Sequence, residues 1–103
     1  MKHTITHDVP PDLARKAAER AFQSYADKFA EYHPSVVWKD ADHADIGFRV
    51  KGVKLDGNVA LRPNAVDLDL DVPFVFRIFQ KRAIDVIEGE VRAWLAKAKR
   101  GEI

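Results

Sequence analysis

Three aspartates at alternate positions, Asp67, Asp69 and Asp71 in the stretch AVDLDLDVPFVFRIF, form the densest row of chemically capable side chains in the sequence. Carboxylates in such a row could act as acid and base groups or ligate a cation. Strand geometry restricts both uses, because residues two apart lie ~6.5–7 Å from each other, which separates Asp67 from Asp71 by ~13 Å. Calcium takes oxygens at about 2.3–2.6 Å, so two of these carboxylates could share an ion but hardly all three. The pattern also departs from an EF-hand loop, since Val72 stands where the turn glycine belongs and Ile78 where the bidentate glutamate belongs. A neighbouring strand offers a plainer expectation. Asn58 would lie opposite Asp69 and Asp56 opposite Asp71, with Arg62 and Lys54 in diagonal reach and Arg49 and Lys51 adding positive charge. The expectation is a solvated face of mixed charge, with an enzyme built on these aspartates as the least favoured use.

The other reactive side chains give less. His3 and His7 would share a strand face but stand too far apart along it to hold one metal, and neither His33 nor His43 has a local partner at ligand spacing. Cysteine is absent, and Ser24 and Ser35 lie in no glycine-flanked elbow. Gly47, Gly52 and Gly57 fall on or between strands and Gly89 inside a helix, so none builds a phosphate cradle. Lys97, Lys99 and Arg100 suit the negative end of a helix better than a polyanion site. No catalytic residue, metal site or cofactor is expected.

The elements that must position these groups can be read from periodicity. KHTITHDV alternates as a short strand, with Ile5 and Val9 on one side and Thr4 and Thr6 on the other. Asp8 and Pro10-Pro11 mark a helix start, and Leu13, Ala17, Ala21, Phe22, Tyr25, Phe29 and Tyr32 make an apolar stripe up to His33-Pro34. SVVWKD, ADIGFRV, VKLDGNVAL and the aspartate stretch then form a meander. A two-residue loop at Lys51-Gly52 sets Val50 opposite Val53 and Phe48 opposite Leu55. A four-residue turn at RPNA sets Leu61 opposite Val66 and Val59 opposite Leu68, so both turns bury the same face. From about Phe76 to Lys99, the residues Phe79, Ala83, Ile84, Ile87, Val91, Trp94, Leu95 and Ala98 recur at helical spacing, with Gly101 as the stop. The reading is one α+β domain over residues 1–103 in the order β-α-β-β-β-β-α. Its antiparallel sheet would carry two long helices on one face, a reduced helix-grip-like arrangement whose likeness carries no function.

Composition bounds the partners. A chain of 103 residues with net charge +1, 47% apolar and 32% charged residues is ordinary globular material. So even a charge balance argues against nucleic acid as partner. The start MKHTITHDVPPDL has no continuous apolar core of a signal peptide, and no apolar run approaches the ~20 residues that span a bilayer. A cytoplasmic protein without a membrane span is expected.

Several stretches also carry a family pattern. MKHTITHDVPPDLARKAAERAF, VKGVKLDGNVALRP, DLDLDVPF and IEGEVRAWL together resemble the polyhydroxyalkanoic acid system protein family over nearly the whole chain. The resemblance implies a small bacterial protein associated with polyhydroxyalkanoate storage, placed at or near the granule, and it transfers no catalytic residue. In one respect the chain departs from the family pattern: Ile78 stands where a proline is expected after Arg77.

The apolar run after Pro73 is the stronger functional candidate. Val72, Phe74, Val75, Phe76, Ile78 and Phe79 cannot all face one core, because neither a strand nor a helix buries every side. Either the connector folds under the helices and buries most of them, or Phe74, Val75, Phe76, Ile78 and Phe79 form a binding surface toward the granule or a granule protein, with a homodimer contact as a further use. A second reading places a small apolar ligand between sheet and last helix, in a cavity lined by Trp38, Phe48, Ile87 and Trp94.

Overall fold

A computed structural model describes residues 2–71, 73 and 76–103. The elements follow the expected order: β1 (Lys2–Thr6), α1 (Pro11–Lys28), β2 (Ser35–Trp38), β3 (His43–Val50), β4 (Val53–Arg62), β5 (Ala65–Asp71) and α2 (Arg77–Lys99). All five strands join one antiparallel sheet in the order β1-β5-β4-β3-β2, so the first strand closes onto the last. Both helices lie together on one face, as the apolar alternation requires.

The register is the one the turns dictate. Lys51 and Gly52 both have positive φ, 52° and 79°, the backbone of a tight primed hairpin turn. Val50 pairs with Val53 and Phe48 with Leu55. Across the Arg62–Ala65 turn, Leu61 pairs with Val66, Val59 with Leu68 and Asn58 with Asp69. Ile46, Phe48, Leu55, Val59, Val66, Leu68 and Leu70 thus point to one side and are buried there. Fully burying each large aliphatic side chain is worth about 1.5–3 kcal/mol, so a slip of one residue, which would expose the whole set, is strongly disfavoured.

Two helix ends differ from expectation. Asp8 does not cap α1; Pro10 holds the N-cap position without a side-chain cap, and the Asp8 carboxylate instead accepts from Lys99 Nζ at 2.7 Å. At the other end α1 stops at Lys28 rather than running to His33. The chain tightens into a single 3₁₀ turn, Ala30–Tyr32, and reverses through His33 in the left-handed region at φ 48°. Pro34 bars His33 from helical geometry, so the last turn must unwind ahead of it. Phe29 and Tyr32 still join the aromatic cluster, with Tyr25 and Phe29 rings 4.9 Å apart. Burial pushes the Tyr25 hydroxyl up to about 12. α2 ends as expected, in a Schellman motif: Glu102 N–H donates to Lys97 O, Gly101 N–H to Ala98 O, and Gly101 takes φ 74°.

Gly57 sits on the apolar face of β4, under Leu70 and Ile46. A Cβ there would lie 2.6 Å from Leu70 Cδ2 and 2.8 Å from the Asp69 carbonyl oxygen. Gly89 in α2, by contrast, has open space where its Cβ would be. Gly57→Ala is therefore expected to cost ~1–3 kcal/mol by overpacking. Gly89→Ala should add ~0.5–1 kcal/mol through helix propensity. Urea unfolding midpoints of the two variants check both signs.

Candidate functional site

The aspartate row lies on the open face of the sheet. Asp67 accepts from Arg62 Nε at 2.7 Å and Nη2 at 3.0 Å, and from Thr4 Oγ1 on β1 at 2.8 Å. These contacts, Arg62 first, hold its carboxyl below the usual range. Asp56, opposite Asp71, stands 3.8 Å from Lys54. Among the described residues no group of three His, Asp or Glu side chains could hold a metal ion. Asp67 is ion-paired, Asp69 is half-buried and Asp71 is exposed.

Three of the four histidines make a side-chain contact. His3 Nε2 contacts the Glu88 carboxylate, whose other oxygen accepts from Arg92 Nε at 2.6 Å. His43 Nδ1 meets Asp40 at 3.0 Å, a pairing not evident from spacing because the β2–β3 loop folds back on itself. His7 Nδ1 accepts from the Val9 N–H at 3.1 Å, which leaves Nε2 enclosed without a partner. Burial pushes the His7 imidazole down.

Of the four expected cavity residues only Phe48 and Ile87 border the same void. Phe48 and Ile87 border a void of only about 10 Å³ with Phe22, Tyr25 and Ile46. That volume is at the limit for one water, so these side chains fill the space around Phe48 and Ile87. Trp38 lies on edge strand β2 with the Arg15 guanidinium 3.7 Å above its ring, and Trp94 lies on α2 under Lys97 Nζ at 4.2 Å.

The apolar run after Pro73 divides. Phe74 and Val75, like Val72, lie outside the described residues. Phe79 turns inward, edge-on to Tyr32 at 5.5 Å and Phe48 at 6.0 Å, and so belongs to the core rather than to a surface. Phe76 is half-buried against the same core. Ile78 points out and is 83% exposed. Lys81 and Arg82, three and four positions on, share its face of the helix and are exposed.

Beside this tip a cleft of about 590 Å³ opens between the end of β5, β1 and the first turns of α2. Its described walls are His3, Leu70, Asp71, Arg77, Gln80, Lys81, Ile84 and Asp85. Gln80 is the residue that reading the sequence misses. It is the only buried polar side chain among the described residues, 8% exposed. The signal was available: Gln80 stands four residues before Ile84 and seven before Ile87, on the apolar stripe.

Fold and site together define a two-layer α+β protein whose unusual surface is the end where α2 begins. The chain belongs to the polyhydroxyalkanoic acid system protein family, which it matches over residues 2–97. Its structure is similar to that of the Zhui aromatase/cyclase from Streptomyces sp. R1128, at 14% identity and a TM-score of 0.41, over 97% of this chain and 93% of that one. No curated protein matches the sequence. Among the described residues no helix is long and apolar enough to cross a membrane.

Glu88 ties β1 to α2 through His3 and Arg92. Hydrogen bonds from Arg92 and then His3 hold its carboxyl below its ordinary 4.5. The ionised contacts therefore add stability above about pH 4.5, and this is lost as pH falls through the lower folded value. Glu88→Gln should lower stability at pH 7 by ~0.5–1 kcal/mol and make the acid limb shallower. Thermal melts from pH 3 to 7 test this; an unchanged acid limb would show that the contact contributes nothing.

Proposed function

We propose that this chain is a non-enzymatic accessory protein of the polyhydroxyalkanoate storage system. It binds the granule surface, or a protein on it, through the tip of α2 around Phe76 and Ile78. Family membership supplies the setting. The observation that carries the surface is Ile78, an aliphatic side chain 83% exposed in the first turn of α2.

The charge around the tip supports the same reading. Arg77, Lys81 and Arg82 occupy the first two turns of α2, and the first turn has no acidic residue. Positive charge in the first turn of a helix opposes the macrodipole at about 0.3–1 kcal/mol, so the dipole does not account for Arg77 at this end. An apolar tip with a basic flank suits a surface that is greasy and carries negative charge. The small void beside Phe48 and Ile87 speaks against a ligand held at that place.

Because Ile78 touches little of the fold, Ile78→Asp should leave the circular dichroism and melting temperature unchanged. Burying one such side chain is worth ~1.5–3 kcal/mol, so its replacement should weaken granule binding roughly 10- to 100-fold. Co-sedimentation with purified polyhydroxyalkanoate granules measures this. Sedimentation of the folded variant at the wild-type level would refute the assigned surface.

A further inference from the structure

The geometry points to a second, small-molecule site in the cleft at the start of α2, built to hold a short carboxylate that also bears a hydroxyl. The inference rests on the granule reading only for its setting; the cleft itself is argued from its walls.

Gln80 is the first reason. A buried amide is ordinarily paired, because leaving its donors and acceptor unmet destabilises the fold. Gln80 makes no side-chain hydrogen bond to any described residue, yet it is not among the sealed unpartnered atoms, a condition found among the described residues only at His7 Nε2. Its amide therefore meets solvent through the cleft it lines. An amide whose partners are water rather than protein is poised to pair with something that enters.

The walls specify the chemistry. Leu70 and Ile84, both buried, form an apolar floor for a short alkyl chain. Arg77 and Lys81 flank the opening, at the positive end of the 23-residue helix α2 with no side-chain cap, where a carboxylate is favoured. The Gln80 amide, both donor and acceptor, meets a hydroxyl or an ester oxygen between those two ends. His3 closes one wall with its Nε2 engaged by Glu88, and Asp71 and Asp85 complete the rim. The acidic rim disfavours a dianion such as phosphate. A hydroxyalkanoate, as the free acid or as the carboxyl end of a short oligoester, satisfies all three features.

An NMR titration of the full chain with sodium 3-hydroxybutyrate, 3-hydroxyhexanoate and hexanoate tests the site. Expected are saturable shifts of the Gln80 side-chain amide and of the Leu70 and Ile84 methyl groups, with the hydroxy acid binding more tightly than hexanoate. Gln80→Leu should weaken 3-hydroxyhexanoate on the order of tenfold. It should also hold or raise the melting temperature, since no hydrogen bond to a described residue is lost and a leucine there buries more apolar surface; a merely structural glutamine would lower it. Lys81→Gln, an exposed change that leaves the fold intact, should weaken every carboxylate alike. Tighter binding of a 3-hydroxybutyrate trimer assigns the chain end as ligand, and equal binding assigns the free acid. Shifts that do not saturate, or Gln80→Leu binding as wild type does, would overturn the proposal. The two readings fail separately: Ile78→Asp removes granule binding without altering the titration, and Gln80→Leu does the reverse.

Discussion

The pairing of β4 with both of its neighbours is the constraint from which the rest of the molecule follows. Its register against β3 is set by the positive-φ pair Lys51-Gly52, and against β5 by the Arg62–Ala65 turn. Because side chains alternate with a period of two, those turns decide together that Leu55 and Val59 face the helices while Asp56 and Asn58 face water. Gly57 between them is the one place on the inner face of β4 without a side chain, and Leu70 and Ile46 close over it. The sheet is held from within by this close approach and from its ends by turn geometry.

On that apolar face the helices have little freedom. α1 and α2 must cover it, and the ion pairs that cross between elements (Lys99 to Asp8, Lys28 to Glu90, His3 to Glu88) lie at the margins of the layer. Exposed pairs of this kind contribute about 0–1 kcal/mol each, so they trim the seating of the helices rather than create it. Glu90 illustrates the balance. Burial raises its proton affinity, but hydrogen bonds from Lys28, Ser24 and Trp94 outweigh it and keep the carboxylate ionised at the seam between helices.

The start of α2 is where local pattern and tertiary demand part company. Ile78 faces out and Gln80 faces in, two residues apart, the inverse of what an amphipathic helix requires. Further along, Ile84, Ile87, Val91 and Leu95 obey the pattern and are buried. Natural sequences tend to break such rules at functional positions, where the break has a use that stability alone does not explain. The aspartates of β5, though more conspicuous, obey the strand rule fully and are the less informative feature.

Much of this was legible in the sequence. Element order, the pairings of β3, β4 and β5, the wet aspartate face and the stop at Gly101 all follow from period, turn residues and caps, which act over a few neighbours. What the sequence left open involved long-range company. The closure of β1 onto β5 brings Thr4 to Asp67, and the seating of α2 brings His3 to Glu88 across 85 positions. The inward turn of Phe79 depends on Tyr32 and Phe48 being there to meet it. The exposure of Ile78 and the burial of Gln80 are likewise properties of where a helix comes to rest. Local sequence sets which faces exist, and only the packed layers decide which of them is covered.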